Sequence, residues 1–98
     1  MARKETITIQ NAVSPGHSYN VDATKYDAMR EAYLAVLPAA APGLTPAEIK
    51  ALLLPLLPEE IFPGGAKAGW WAKAVQLDLE AKGVVARAKG SPVRLFKA

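Results

Sequence analysis

Residues 66–83, AKAGWWAKAVQLDLEAKG, form a helix that is apolar over more than half its circumference. On a helical wheel Ala68, Trp71, Ala72, Val75 and Leu79 fall on one side, and Trp70, Ala74, Leu77 and Ala81 form a second patch. The polar strip is Gly69, Lys73, Gln76 and Glu80, with Lys67 near the amino end. An ordinary surface helix buries one stripe. A helix this apolar must be wedged into the domain, or must offer its second patch to a partner. Gly83 closes it, because glycine adopts the left-handed conformation of a helix cap without a Cβ clash.

The upstream residues supply the cover. Thr6-Ile7-Thr8-Ile9-Gln10 alternates with period two and is β-branched, which predicts a strand. Ser14-Pro15-Gly16 signals a turn, and Ser18-Tyr19-Asn20-Val21 returns as a second short strand, giving an N-terminal β arm. Asp22 is a good N-cap, and Val21 with Tyr26 fits a hydrophobic staple. Tyr26, Met29, Tyr33, Val36 and Leu37 keep helical spacing until Pro38 stops the first helix.

After the connector AAAPGL, the run Thr45-Pro46-Ala47-Glu48 predicts a second helix. Thr45 is its N-cap, Pro46 takes the first helical position, and Glu48 closes a capping box. Ile49, Leu52, Leu53 and Leu56 are its expected buried stripe, and Pro55 forces a kink or an end. Residues 59–65, EEIFPGG, read as a loop anchored by Ile61 and Phe62. Beyond Gly83, residues 84–88 and 93–97 read as two strands joined by Lys89-Gly90-Ser91-Pro92.

At 98 residues this is the length of one domain, and 51% hydrophobic content favours a packed core over disorder. The absence of cysteine excludes disulfides and thiolate metal sites. The longest apolar run, residues 51–57, is far too short to span a bilayer. The charged start is followed by an alternating segment instead of an apolar signal core, so the expected location is the cytoplasm. Charge is unevenly placed. Residues 1–60 carry net −2 and residues 61–98 carry net +5, with no acid after Glu80. Such a basic third is either a footprint for phosphates or a solvated face.

The order of helix, capped second helix, third helix, glycine and hairpin resembles a winged helix-turn-helix domain. The segment Leu77-Asp78-Leu79-Glu80-Ala81-Lys82-Gly83-Val84-Val85-Ala86-Arg87 is similar to a recognition helix running into a first wing strand. Leu44-Thr45-Pro46-Ala47-Glu48-Ile49 is similar to the opening of the second helix of such domains. Val21-Asp22-Ala23, Lys25-Tyr26, Ala28-Met29-Arg30 and the run from Phe62 to Lys73, FPGGAKAGWWAK, also resemble a family of small uncharacterised bacterial proteins. That family brings no activity with it. The connection between the second and third helices is longer than the usual tight turn, a departure from the winged-helix pattern.

The fold expected is therefore α+β and winged helix-turn-helix-like. A β arm over residues 1–21 precedes a three-helix core over 22–83 and a hairpin wing over 84–98. The resemblance implies duplex DNA as a partner, with Lys67, Lys73 and Gln76 reaching into the groove and Arg87, Lys89 and Arg94 touching the backbone from the wing. The alternative is a protein-interaction or homodimer module built on Trp70 and Leu77, since aromatic anchors dominate many interfaces. Adjacent helical residues lie about 100° apart, so the two tryptophans point different ways. Trp71 is expected in the core. Trp70 is expected to pack on the 59–65 loop or the arm, or else to be exposed for a partner or a base.

Pro63-Gly64-Gly65-Ala66-Lys67 lacks the spacing of a nucleotide-binding loop, and its glycines are explained by a sharp turn into the helix. His17 has no neighbouring ligand-type residue, Ser14, Ser18 and Ser91 lack a nucleophile context, and Glu59-Glu60 reads as loop charge. No enzyme activity, cofactor, metal or membrane partner is expected.

Overall fold

The computed structural model describes residues 6–10, 18–88, 90 and 92–98, with Ser18 and Tyr19 described by their backbone alone. The Ser14-Pro15-Gly16 turn, His17, Lys89 and Ser91 lie outside the described residues.

The local signals produce the expected elements in the expected order. β1 (Thr6–Gln10) pairs antiparallel with β2 (Ser18–Asp22), in a register that sets Ile7 opposite Val21 and Ile9 opposite Tyr19. Helix α1 (Ala23–Val36) starts at Asp22, whose carboxylate accepts from the backbone N–H groups of Thr24 and Lys25. Helix α2 (Pro46–Leu53) carries the full capping box between Thr45 and Glu48. The Thr45 backbone N–H and hydroxyl hold the Glu48 carboxyl below its usual range. At Pro55 the chain tightens into a 3₁₀ turn, Leu54–Leu56, and a second such turn, Pro63–Gly65, leads to α3 (Ala68–Ala81).

α3 ends as its sequence requires. Gly83 has φ +75°, its N–H donates to the Glu80 carbonyl, and the Val84 N–H donates to the Leu79 carbonyl. These two bonds satisfy carbonyls that the last helical turn leaves open. The chain then forms β3 (Val85–Arg87) and β4 (Leu95–Lys97), paired antiparallel. Among the described residues the result is an α+β domain of three α-helices and two small antiparallel hairpins.

α3 is the centre. It packs on α1 and β1, with α2 and β3 at its flanks. All five residues of its first apolar side are buried, together with Ile9, Tyr26, Met29, Tyr33, Ile49, Leu53 and Phe62. Its second patch is covered only in the middle: Ala74 and Leu77 are buried, while Trp70 and Ala81 are exposed. The α2 stripe is narrower than its sequence suggests. Only Ile49 and Leu53 are buried, whereas Leu52 is 50% and Leu56 51% exposed. A helix of eight residues presents a seam of one i,i+4 pair, and the 3₁₀ turn then changes the direction of the side chains.

The C-terminal hairpin is not a free-standing wing. The outer side of β4 is fastened to the connector between α1 and α2. Leu44 and Leu95 exchange both backbone hydrogen bonds, at 2.9 and 2.8 Å, and the Lys97 N–H donates to the Pro38 carbonyl at 2.8 Å. A lone two-stranded hairpin is marginal in water, and this third partner supports it.

Candidate functional site

A buried acid organises the far side of α3. Asp78 shares a helical stripe with Trp71 and Val75 and is fully buried. One carboxylate oxygen accepts from the Gln10 backbone N–H at 2.8 Å. The other accepts from the Tyr26 hydroxyl and from Lys82 Nζ, the latter at 2.9 Å. Three elements, β1, α1 and α3, therefore meet on one side chain. The Lys82 ammonium also lies 5.7 Å from the centre of the Tyr26 ring. The sequence reading missed Asp78. The available signal was an acid at a core position of an apolar helix, which requires partners when buried.

The two buried tyrosines give the fold an alkaline limit. Burial, and then the Asp78 carboxylate, push the Tyr26 hydroxyl well above the ordinary tyrosine range. Burial, and then Glu80, do the same to Tyr33. Both groups bind their protons more tightly folded than unfolded. Their contribution to stability is complete below the unfolded value of about 10 and is lost as pH rises beyond it. We expect stability to be insensitive to these groups up to about pH 10 and to fall steeply above it. Absorbance from their two phenolates should appear only together with loss of ellipticity. Phenolate formation by Tyr26 and Tyr33 in a fully folded protein would contradict this account.

The residues expected at a binding surface divide sharply. Lys67 and Lys73 are exposed, as is Lys50 on α2, and none of the three forms an ion pair among the described residues. Lys67 holds a left-handed backbone, φ 59°, at the N-cap of α3, and no side chain caps that helix end. Gly64 and Gly65 also have positive φ, at 61° and 74°, so the sharp lead-in accounts for the glycine pair.

Gln76 is corrected from groove contact to interior residue. It is 2% exposed and makes one long hydrogen bond, 3.4 Å, to Glu80. Arg87 is held from β3 by both Glu80 oxygens, at 3.0 Å each, so its charge is already paired. The hairpin folds back onto α3 through this pair. Arg94 sits 3.7 Å from Glu48. Lys89 lies outside the described residues.

Leu77 is likewise corrected, from partner contact to buried side chain, because it is 8% exposed. Trp70 departs from the expected burial and is 52% exposed. It stands edge-on to Trp71, with ring centres 5.0 Å apart, while Trp71 is buried and sits edge-on to Phe62 at 6.4 Å. An open cavity of about 490 Å³ adjoins Trp70, lined also by Lys67, Lys25, Asp22 and Trp71. A second, smaller cleft lies between α2 and α3, with Lys50, Gly69 and Lys73 among its lining.

Lys50 and Lys73 thus line the cleft between α2 and α3, while Lys67 and the half-exposed Trp70 line the cavity at the amino end of α3. Lys50 was not singled out in the sequence. It sits one position after the buried Ile49, on the outward side of α2, and only the docking of α2 beside Gly69 brings it to this cleft. Among the described residues no group of His, Cys, Asp and Glu side chains could hold a metal ion, and no helix is long and apolar enough to cross a membrane.

Among the described residues, fold and surface together define a small α+β domain with a central buried helix, two antiparallel hairpins, exposed lysines on α2 and α3 and an exposed Trp70 ring. Residues 6–95 match a family of unknown function (DUF6958), and the chain belongs to that family. No curated protein and no solved structure matches the chain.

Proposed function

We propose that this is a winged-helix-like domain that binds duplex DNA with the amino-terminal half of α3 and the last turn of α2, and not with its wing. The observation that carries this reading is the contrast in pairing. Lys50, Lys67 and Lys73 are exposed without ion-pair partners among the described residues, whereas Arg87, Lys82 and Arg94 are engaged by Glu80, Asp78 and Glu48. Unpaired cations around a helix start without a side-chain cap favour phosphate oxygens. Such contacts neutralise phosphates and release counterions, so affinity depends steeply on salt. Gly69 leaves the middle of this face low, which allows close approach by a backbone.

The test is duplex binding measured over a salt series, for the wild type and for a Lys50/Lys67/Lys73 alanine triple variant. We expect the triple variant to bind at least about tenfold more weakly at low salt, with its salt slope reduced by about 3. Arg87→Ala should leave binding nearly unchanged, because that guanidinium is already paired within the fold. Equal binding by the wild type and the triple variant would remove the assignment. The reading left standing would be a protein-docking surface, favoured by the exposure of Leu52, Leu54, Leu56 and Trp70.

A further inference from the structure

The cleft between α2 and α3 has a volume of about 220 Å³, below the usual range for drug-sized ligands but ample for a small ion. Lys50 and Lys73 are exposed at it, and Tyr33 and Gln76 are buried in its lining. Tyr33 is 1% exposed, and its hydroxyl is buried without a hydrogen-bond partner among the described residues. Buried polar groups in native proteins are overwhelmingly paired, so the unpaired hydroxyl of a tyrosine that lines a cleft with two lysines calls for an acceptor. Among the described residues the Gln76 side chain makes only the 3.4 Å contact with Glu80. Glu80 would oppose a bound anion, but Arg87 holds both its oxygens. Gly69 borders the cleft beside Lys50, whose Nζ would lie 3.4 Å from a Cβ built there, an ordinary contact distance.

We propose that this cleft seats one phosphate group, with Lys50 and Lys73 supplying charge at the rim and the Gln76 amide and Tyr33 hydroxyl supplying neutral donors from the floor. Donors on several sides suit inorganic phosphate or a phosphate monoester, which has three unesterified oxygens. A backbone phosphodiester offers only two and arrives with a nucleotide on either side. Burial keeps Tyr33 protonated across the physiological range, so it remains a donor. The seat does not depend on the DNA reading, because free phosphate would fill it in a protein that never met a duplex.

The experiment is titration of the whole protein with inorganic phosphate against chloride at matched ionic strength, followed by amide NMR. The expected result is saturable shifts confined to Gly69, Lys73 and the Gln76 side-chain amide. Tyr33→Phe and the surface change Lys50→Gln should each weaken phosphate binding by about tenfold while the rest of the spectrum stays native. Non-saturating shifts, or Tyr33→Phe binding phosphate as well as the wild type does, would show that the hydroxyl meets only a water and would overturn the proposal. A short duplex added to the phosphate-saturated protein separates the two sources. Displacement of phosphate identifies the seat as one for backbone phosphate. Retention identifies it as a site for free phosphate or a monoester. A duplex that fails to bind at all removes the DNA reading and leaves the phosphate titration intact.

Discussion

Asp78→Ala is expected to cost about 3–5 kcal/mol of folding stability, because hydrogen bonds to a charged acceptor contribute about 1.5–3 kcal/mol each. The substitution strips the acceptor from three donors at once: the Gln10 backbone N–H, the Tyr26 hydroxyl and Lys82 Nζ. Lys82 can turn to water, since its side chain is 38% exposed. The Tyr26 hydroxyl and the Gln10 N–H are left to find other partners, and an unmet buried donor costs about 1–3 kcal/mol. In a domain of this size the midpoint of thermal unfolding should fall by at least about 12 °C.

The loss should also be regional. Gln10 is the last residue of β1, and its bond to Asp78 ties the hairpin to the central helix. Hydrogen exchange in β1 and β2 should therefore quicken more than exchange in α2. Tyr26→Phe, which removes one donor and leaves the carboxylate two others, should cost only about 1 kcal/mol. Urea unfolding of the three proteins checks the series. A loss below about 1 kcal/mol in Asp78→Ala would mean that the carboxylate is not the junction of these elements.

The second large effect is expected at Gly43, which holds φ +83° in the connector between α1 and α2. A Cβ at this position would stand 2.1 Å from the Leu95 carbonyl oxygen and 2.6 Å from its carbon. Those are backbone atoms, so no rotamer change relieves the clash. Gly43→Ala must separate the connector from β4, and with it the two Leu44–Leu95 hydrogen bonds. Left-handed strain alone accounts for about 1–3 kcal/mol, and the lost bridge brings the expected cost to about 3 kcal/mol or more. Thermal unfolding should fall by roughly 12 °C or more. The backbone amides of Leu44 and Leu95 should lose their exchange protection together. Near-native stability in Gly43→Ala would show that the hairpin stands without the connector.

These two positions mark where reading the sequence stops. Asp22, the Thr45–Glu48 box, Pro38, Pro55 and Gly83 each announced their roles because caps and breaks act within about four residues of chain. Strand β1 was equally legible, since alternation is a local property. For the candidate site, Lys67 and Lys73 could be placed on the outer strip of α3, and Trp70 could be named as the ring whose exposure mattered. Its actual exposure could not be read, because the wheel shows which side chains share a side and not how far the covering elements extend along it.

Gln76 and Leu77 failed for the same reason in the opposite direction. Gln76 lies on the polar strip by spacing, yet it is buried beside Glu80, which Arg87 grips from β3 at the surface. Of the basic residues after Glu80, Arg87 and Arg94 each sit beside a carboxylate contributed by a helix, while Lys97 is exposed without an ion pair among the described residues.

The sequence by itself determined the elements, their ends and the central place of the helix over residues 66–83, because periodicity, caps and glycine conformations are short-range physics. Tertiary structure alone decided which charges are spent and which are free. Asp78 meets Tyr26 and Gln10 across separations of 52 and 68 residues, and the hairpin returns to the connector before α2. Only that long-range closure buries Gln76 and Leu77, pairs Arg87, and leaves Lys50, Lys67 and Lys73 exposed without ion pairs among the described residues.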